Sequence, residues 1–459
     1  MNANSPDRPN ILYIHSHDTG RYIQPYGYCV DTPSLQQFAE RSTVFRQAFC
    51  VNPTCSPSRA SLLTGCYPHQ NGMLGLAHRG YSLNDYKQHL IHTLKPAGYH
   101  AALAGIQHIA HGDRSATDVI GYDESLPVET LGVPYVSDAV QAFLRREHDK
   151  PFFLSAGFFE THRKFPEEID PQDDPCYLRP PAIFPDTPEN RLDFARFRTM
   201  ARRYDNAVGR ILYTLEQTGL ADNTIVLITT DHGVAFPEMK CNLTSHGAGV
   251  LMMLHLPPHL RPGGKTPRVV DAMVSHLDVF PTLCELLNLE PPSWLEGKSL
   301  MPLMRGETDR LHDALFTTVN VHASYEPMRS VRTDRFSYIR RFDGRDHIVR
   351  PNIDDSLTKT TYLESGGFER PVAQEQLYDL MLDPMERYNV ATDPRYADAL
   401  ADMRQRLERF MRDTSDPLAQ GVEHLPWPEQ AILNDPGDPS TQSPLQIRHR
   451  DGTMTPKPQ

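Results

Sequence analysis

The sequence has no long apolar segment and no excess of positive charge. Its apolar runs are short, so we expect no membrane-spanning helix and no membrane partner, since a span needs roughly 20 apolar residues. The formal net charge is −12. We expect no nucleic-acid partner, because phosphate binding requires a basic face. A small anionic substrate remains compatible, since a local cationic cluster can oppose the overall charge.

Cysteines are few and none form a close pair. The seven cysteines include no Cys-x-x-Cys spacing, and their number is odd. This pattern argues against a disulfide framework and is typical of a reducing compartment. Residues 1–9 are polar and lack the basic start and apolar core of a secretory signal. We therefore expect a cytoplasmic protein.

The chain has 459 residues, which is too many for one small core. Its composition and predicted secondary structure change along its length. We predict an α/β region over residues 1–320 and a small region, an antiparallel sheet with one helix, over 321–415. Residues 416–459 are rich in Pro, Asp, Ser and Gln and predict an extended or partly disordered tail. The oligomeric state stays open, with a homo-oligomer among the alternatives.

Apolar strands alternate with amphipathic helices in the first region. Residues 10–15 and 224–230 are typical of buried strands, and residues 190–218 repeat apolar side chains at helical spacing. This alternation predicts a large, mixed but mostly parallel sheet sandwiched by helices, with ligands at the carboxyl ends of its strands. The other predicted elements are helices 34–41, 60–64 and 396–411 and strands 101–104, 152–156, 328–332, 336–341 and 376–380.

Polar clusters directly follow two of the predicted strands. His17 and Asp18 come after the first strand, and Asp231 and His232 come after strand 224–230. If these strands are neighbours, the four side chains converge at one edge of the sheet. Carboxylates and imidazoles together are suitable ligands for a divalent cation. For His15 we favour a satisfied interior histidine.

A specific run begins at Cys55 and continues Ser-Pro-Ser-Arg-Ala-Ser-Leu-Leu-Thr-Gly. Pro57 lies just inside a predicted helix start, where free N–H groups and the helix dipole favour an anionic substrate. The run resembles the signature of the sulfatase family. In that family a maturing enzyme oxidises the cysteine to formylglycine, an aldehyde. The resemblance implies that Cys55 is the precursor of the catalytic group and that a formylglycine-generating enzyme is a partner.

The resemblance extends over residues 8–415 and implies the fold of the alkaline phosphatase superfamily. Residues 62–65, followed by residues 69–73, look closest to the heparan N-sulfatase (sulfamidase) branch, and residues 328–331 favour the same branch. The implied activity is hydrolysis of sulfate esters or N-sulfamates on a small molecule or a saccharide.

The resemblance also implies a metal site. Sulfatases usually have Asp-Asp and Asp-Asn at the two strand ends, and these side chains ligate calcium. The corresponding ligands here are His17, Asp18, Asp231 and His232, together with the group derived from Cys55. Two imidazoles in place of oxygen ligands favour Mn²⁺, Zn²⁺ or iron over calcium, so the sequence leaves the metal identity open.

The remaining implied roles fall on Arg59, His108, His162 and Lys240. Arg59 lies one helical turn after Cys55, where it can hold the aldehyde hydrate or a sulfate oxygen. His108 takes the proton that lets the hydrate expel sulfate, and His162 or Lys240 protonates the departing group. Lys240 also neutralises the sulfate.

Two positions remain open within this resemblance. Ile106 occupies the place of a lysine that usually binds a sulfate oxygen, and His111 or an arginine could substitute for it. His322, near the predicted domain junction, is either a substrate contact or a surface-loop histidine.

Two other functions compete with this interpretation. His232 and Ile106 also fit a phosphonate monoester or phosphodiester hydrolase of the same superfamily. The missing lysine is the one feature that favours a non-catalytic relative that binds sulfated sugars.

Overall fold

The computed structural model describes residues 8–112, 115–264 and 269–457, so most of the polar N-terminal stretch, residues 1–7, lies outside it. Its large sheet contains β1 (Asn10–Ser16), β2 (Thr43–Phe49), β3 (His100–Gly105), β4 (Glu124–Leu126), β5 (Phe152–Gly157), β6 (Thr224–Thr230), β7 (Met252–His255) and β8 (Val269–Ser275). The strand order is β4-β3-β5-β1-β6-β7-β2-β8. Only β7 pairs antiparallel with its neighbours among these strands, which confirms the predicted mixed, mostly parallel sheet.

Helices cover both faces of this sheet because its central strands are apolar on both sides. In β1, Ile11 belongs to one core and the next residue, Leu12, to the other. The α-helices are α1 (Pro33–Glu40), α2 (Cys55–Thr64), α3 (Pro68–Asn71), α4 (Ile91–Leu94), α5 (Tyr135–Leu144), α6 (Pro188–Gln217), α7 (Ser245–Ala248), α8 (Val279–Leu286), α9 (Met301–Met304), α10 (Leu357–Glu364) and α11 (Ala397–Asp413). Among the described residues, none of the helices combines the length and apolar character needed to cross a membrane.

A second, antiparallel sheet follows, as predicted. It contains β9 (Leu315–Val321), β10 (Tyr325–Arg332), β11 (Phe336–Arg341) and β12 (Glu375–Asp379), in the order β12-β11-β10-β9. Helix α11 packs against β10 and β11. The fully buried Arg329 of β10 forms a two-point ion pair with Asp416, just beyond α11. This pair ties the sheet to the start of the C-terminal segment.

The C-terminal segment forms a third, three-stranded antiparallel sheet that the sequence analysis did not predict. Its strands are β13 (Gln430–Leu433), β14 (Gln446–His449) and β15 (Met454–Pro456). Ala431 is buried within the main core. Nη1 of Arg79 donates to the carbonyl of Ile432 at 3.3 Å and to Oδ1 of Asn434 at 3.1 Å. The end of the chain is therefore packed against the residues that follow α3.

Candidate functional site

The site lies at the carboxyl edge of the large sheet. β1 and β6 are parallel neighbours, with Ser16 opposite Thr230, so the residues that follow them meet at this edge. β5 lies on the other side of β1, and β3 lies beyond β5. The segments that carry His162 and His108 follow β5 and β3. Four predicted parts of the site thus share one edge because their strands run in the same direction.

The structure brings His17, Asp18, Cys55, Asp231 and His232 together, with potential ligand atoms all within 4.8 Å of one another. Nε2 of His17 lies 3.2 Å from Oδ2 of Asp231, and Nε2 of His232 lies 3.3 Å from Oδ1 of Asp18. All five residues are buried. These are the residues that the sequence analysis assigned to the metal.

The donor set fits a divalent cation. Both ring nitrogens of His17 and Oδ1 of Asp18 are buried without a hydrogen-bond partner. An unpartnered buried polar atom costs about 1–3 kcal/mol, and a bound cation would remove that cost. Burial, followed by the nearby His162, lowers the pKa of His17 well below its ordinary value. The imidazole is therefore neutral, which is the form that binds metals.

Cys55 is the first residue of α2, directly after the N-cap Thr54. Its Sγ lies 3.5 Å from Nε2 of His232. The first backbone N–H groups of a helix have no partner within the helix, and the helix dipole favours negative charge there. Burial raises the pKa of the Cys55 thiol well above its ordinary value. The unmodified side chain is thus a poor nucleophile, although its position suits an anionic substrate.

Arg59 binds protein groups with both terminal nitrogens. Nη2 donates to Oδ2 of Asp231 at 2.9 Å and to the carbonyl of Ser16 at 3.1 Å, and Nη1 lies 2.5 Å from Nδ1 of His15. Nε2 of His15 lies 3.1 Å from Oγ of Ser155, so His15 is a satisfied interior histidine, as expected. The predicted contact of Arg59 with the hydrate or with sulfate stays a prediction. Its observed contacts orient the carboxylate of Asp231.

Lys240 is surrounded by two carboxylates and one imidazole. Its Nζ lies 2.8 Å from Oδ2 of Asp18, 3.0 Å from Oδ2 of Asp354 and 3.3 Å from Nε2 of His162. Burial would lower the pKa of Lys240, but Asp18 and Asp354 raise it well above its ordinary value. Lys240 is therefore a permanent cation within this site.

His162 faces the cation pocket, the group formed by His17, Asp18, Cys55, Asp231 and His232, through Nε2. Its Nδ1 lies 2.5 Å from the carbonyl of Arg163, which places a proton on Nδ1. Nε2 lies 3.3 Å from Nζ of Lys240, and the ring lies 4.5 Å from that of His17, measured between centroids. The nitrogen nearest the metal residues can consequently exchange a proton with a bound substrate.

His108 pairs with a histidine that the sequence analysis did not single out. Its Nε2 lies 3.1 Å from Nδ1 of His78, and the rings are stacked with centroids 5.3 Å apart. Nδ1 of His108 is buried without a partner. His78 itself is exposed. His108 therefore has one nitrogen held by His78 and one nitrogen free.

The structure also locates the two positions that the sequence left open. Ile106 is buried, and His111 is exposed at the surface. His322 follows β9 and is buried, with its Nδ1 unpartnered, which excludes the surface-loop alternative. Burial, followed by Lys240, lowers its pKa well below the ordinary value. His322 thus lies near Lys240, whereas its contact with substrate stays a prediction.

Asp354 is the second residue of the site that the sequence analysis missed. It lies in the connection between β11 and α10, far along the chain from Lys240. No apolar strand precedes it, so the rule that located Asp18 and Asp231 at strand ends does not apply. The Asp354-Asp355 pair near a helix start was the one available signal, and such pairs are common at helix N-termini.

A cavity of about 270 Å³ lies between the large domain and the second sheet. Its lining includes Lys240, Glu326, Arg341 and Asn352, but none of the five metal-site residues. The candidate site is therefore the group at the sheet edge, and the cavity only adjoins it at Lys240.

Comparisons with known proteins find matches over most of this chain. A model of the sulfatase family matches residues 9–289, and a model of the C-terminal part of N-sulphoglucosamine sulphohydrolase matches residues 243–349. Human N-sulphoglucosamine sulphohydrolase is 31% identical, over 89% of this chain and 91% of its own length. The family match contains the cysteine run and both strand-end clusters.

Solved structures with low sequence identity share the fold. One is a protein described in complex with its substrate D-glucosamine-2-N,6-O-disulfate, with a TM-score of 0.68, 18% identity and coverage of 89% of this chain and 98% of its own. Another is the phosphonate monoester hydrolase of Agrobacterium radiobacter, with a TM-score of 0.63, 20% identity and coverage of 89% and 96%. These likenesses concern the architecture alone.

Proposed function

Because this chain belongs to the sulfatase family, we propose that it hydrolyses sulfate esters or N-sulfamates of saccharides. The observation that carries the proposal is the position of Cys55. Its Sγ lies at a helix start, 3.5 Å from Nε2 of His232, within a buried group of carboxylates and imidazoles. Similarity to an N-sulphoglucosamine sulphohydrolase supports the saccharide class.

The proposal includes conversion of Cys55 to formylglycine by a formylglycine-generating enzyme. Formylglycine would supply a hydrated aldehyde, whose two hydroxyls would provide a nucleophile for sulfur and a means of releasing the sulfate. The raised pKa of the unmodified thiol and its burial support the need for this conversion, because a neutral thiol attacks weakly.

The surrounding residues divide the remaining tasks. Lys240, as a permanent cation, offsets the charge of the sulfate. Its raised pKa makes it a poor proton donor, so we assign protonation of the departing group to Nε2 of His162. The unpartnered Nδ1 of His108 is placed to accept the proton that is released when sulfate leaves.

We infer that the metal is a first-row transition ion, such as Mn²⁺ or Zn²⁺, and not calcium. The residues that would hold it are His17, Asp18, Asp231 and His232. Calcium prefers six to eight oxygen ligands, whereas two imidazoles with two carboxylates suit manganese, iron or zinc. When bound, the metal supplies positive charge that favours deprotonation of the attacking hydroxyl and polarises the sulfate.

Metal content tests this assignment directly. The protein is dialysed against equal concentrations of Ca²⁺, Mn²⁺ and Zn²⁺, and bound metal is measured by mass spectrometry. We expect transition metal in the wild type, a shift towards calcium in His17→Asp, and no stoichiometric metal in Asp231→Ala with an unchanged circular dichroism spectrum. Calcium occupancy in the wild type would contradict the assignment.

Turnover tests the function. The protein is co-expressed with a formylglycine-generating enzyme, and conversion of Cys55 is followed by a decrease in intact mass. Rates are then compared on an aryl sulfate, glucosamine N-sulfate and an aryl phosphodiester, with Cys55→Ala as the inactive control. We expect the sulfated compounds to be preferred.

A preference for the phosphodiester by orders of magnitude would favour the phosphonate monoester and phosphodiester hydrolases. Two observations favour this alternative: His232 directly follows Asp231, and Ile106 occupies the place of a lysine. Absence of both the mass decrease and turnover would favour a non-catalytic protein that binds sulfated sugars.

A further inference from the structure

Asp354 joins the small C-terminal region to the metal site. Nζ of Lys240 lies between two carboxylates, 2.8 Å from Oδ2 of Asp18 and 3.0 Å from Oδ2 of Asp354. Asp18 follows β1 and belongs to the cation pocket. The order outward from that pocket is therefore Asp18, Lys240 and Asp354. Asp18 is a candidate metal ligand, whereas Asp354 lies farther from the metal site, beyond Lys240.

Exposure separates the two carboxylates. The side chains of Asp18 and Lys240 are 0% and 2% exposed, whereas that of Asp354 is 17% exposed. Oδ2 of Asp354 is buried against Lys240, so its exposed surface lies on its other side-chain atoms. Asp354 is thus the member of this chain of charges that solvent or a ligand can reach.

The other groups around Asp354 are consistent with a lasting negative charge there. Burial raises its pKa, but Lys240, His162 and His322 together lower it below the ordinary value. His162 is the residue assigned to the departing group, and His322 is buried near Lys240. An anionic side chain therefore lies within electrostatic range of the proton donor His162.

A carboxylate in this position discriminates between the two halves of a substrate. It repels the sulfate, whose negative charge would be offset by Lys240 and the metal. It attracts ammonium and hydroxyl donors. Hydrolysis of an N-sulfamate breaks the S–N bond: the N-sulfamate anion and water give sulfate and an ammonium ion. The departing amine takes one proton from His162 and the second from water, and its new charge favours a neighbouring anion.

We propose that Asp354 is a specificity-determining residue that selects leaving groups carrying an amine over leaving groups that lack one. The proposal rests on the proposed sulfatase function and adds a subsite to it. This subsite is supplied by the connection between β11 and α10, outside the large sheet. A residue that only positioned Lys240 would instead affect all sulfated substrates alike.

The variant Asp354→Asn tests this role because it removes the charge and keeps the shape. The matched control is Asp355→Asn, whose carboxylate pairs with Lys359 at 2.8 Å. kcat/KM is measured for glucosamine N-sulfate and for 4-nitrophenyl sulfate, whose leaving group has no amine. We expect Asp354→Asn to lose about tenfold or more on the first substrate relative to the second, mainly through KM. Equal losses on both substrates, or an unchanged ratio, overturn the proposal.

Ligand binding separates this proposal from the sulfatase function. Glucosamine, the ammonium product, is titrated calorimetrically into the full-length protein with Cys55 unmodified, and glucose serves as the ligand without the amine. We expect glucosamine to bind more tightly than glucose in the wild type and about equally in Asp354→Asn. No preference for glucosamine in the wild type, or a preference retained in the variant, overturns the proposal. This measurement needs no turnover, so it remains decisive if the protein hydrolyses no sulfate.

Discussion

Nη2 of Arg59 lies 2.9 Å from Oδ2 of Asp231. Arg59 follows Cys55 by one turn of α2, and Asp231 follows β6, so this contact joins the helix with the cysteine to the strand end with the metal carboxylate. The other oxygen of Asp231, Oδ1, accepts the backbone N–H groups of Asp18 at 2.8 Å and His232 at 2.9 Å. The carboxylate is therefore held in one orientation by these donors.

The main effect of replacing Arg59 should be weaker metal binding. Loss of a group that orients a metal ligand typically costs about 10- to 100-fold in metal affinity. We expect Arg59→Ala to show this loss for Mn²⁺, measured by titration followed with electron paramagnetic resonance. Arg59→Lys keeps the positive charge but lacks the two donor nitrogens of the guanidinium, so its Mn²⁺ affinity should lie between those of the wild type and Arg59→Ala. Full metal affinity with lost turnover would instead favour the substrate contact that the sequence predicted.

The contact between His78 and His108 predicts a defect in turnover. Removing the Nδ1 of His78 leaves Nε2 of His108 without its partner and its ring free to turn. We expect His78→Phe, which keeps the stacking, to lower kcat by about tenfold with little change in KM, and His78→Gln to lose less. Steady-state kinetics on an aryl sulfate measures both. Wild-type kcat in His78→Phe would mean that stacking alone matters.

The buried ion pair of Arg329 and Asp416 should dominate the stability of the C-terminal region. Breaking a buried pair typically costs about 3–5 kcal/mol, because one charge is left unpaired. We expect a loss of this size in Asp416→Asn, measured by urea unfolding at neutral pH. The control is Asp334→Asn, which breaks an exposed pair with Arg310 and should cost about 1 kcal/mol or less. Similar losses in both variants would contradict this account.

The same pair predicts an acid dependence of stability. Burial raises the pKa of Asp416, but Arg329 lowers it overall below the ordinary value. The contribution is then fully present above the ordinary carboxyl pKa of about 4 and is lost as the pH falls through the lowered value. We expect the free energy of unfolding to fall less steeply between about pH 5 and pH 3 in Asp416→Asn than in the wild type. Parallel curves would count against the prediction.

Thiol labelling should separate the buried cysteines from the exposed ones. Cys29 and Cys176 are exposed, whereas Cys55 is buried and its thiol pKa is raised, so little thiolate forms near neutral pH. We expect iodoacetamide to modify Cys29 and Cys176 in the native protein and to modify Cys55 only after denaturation. Peptide mass spectrometry at pH 7.5 measures this. Native labelling of Cys55 at a comparable rate would contradict the buried site.

Residues that follow strong local patterns could be located from the sequence. The pattern at 224–230 coincides with β6, and the helix predicted over 190–218 is α6, displaced by one or two residues. In both elements the apolar spacing of the chain is also the spacing of the buried face. The polar residues directly after β1 and β6 were predictable for the same reason.

Residues whose position depends on contacts distant in sequence could not be located. His78 and Asp354 enter the site from connections that carry no periodic pattern. The small strands β13–β15 were missed because they lie in a segment rich in proline and polar residues, and β13 is held by the packing of Ala431 and Leu433 into the main core. Antiparallel pairing of β7 likewise depends on its neighbours and not on its own four residues.

The packing of the C-terminal segment has a consequence for the order in which the site is assembled. Gly80, two residues after His78, has a φ of +100°, and a Cβ there would lie 2.1 Å from the carbonyl oxygen of Gln430. The strand that begins at Gln430 thus forms the backing for the turn that holds His78. A chain in which this strand has not yet docked therefore lacks the backing for that turn. The histidine pair is completed only once β13 is in place.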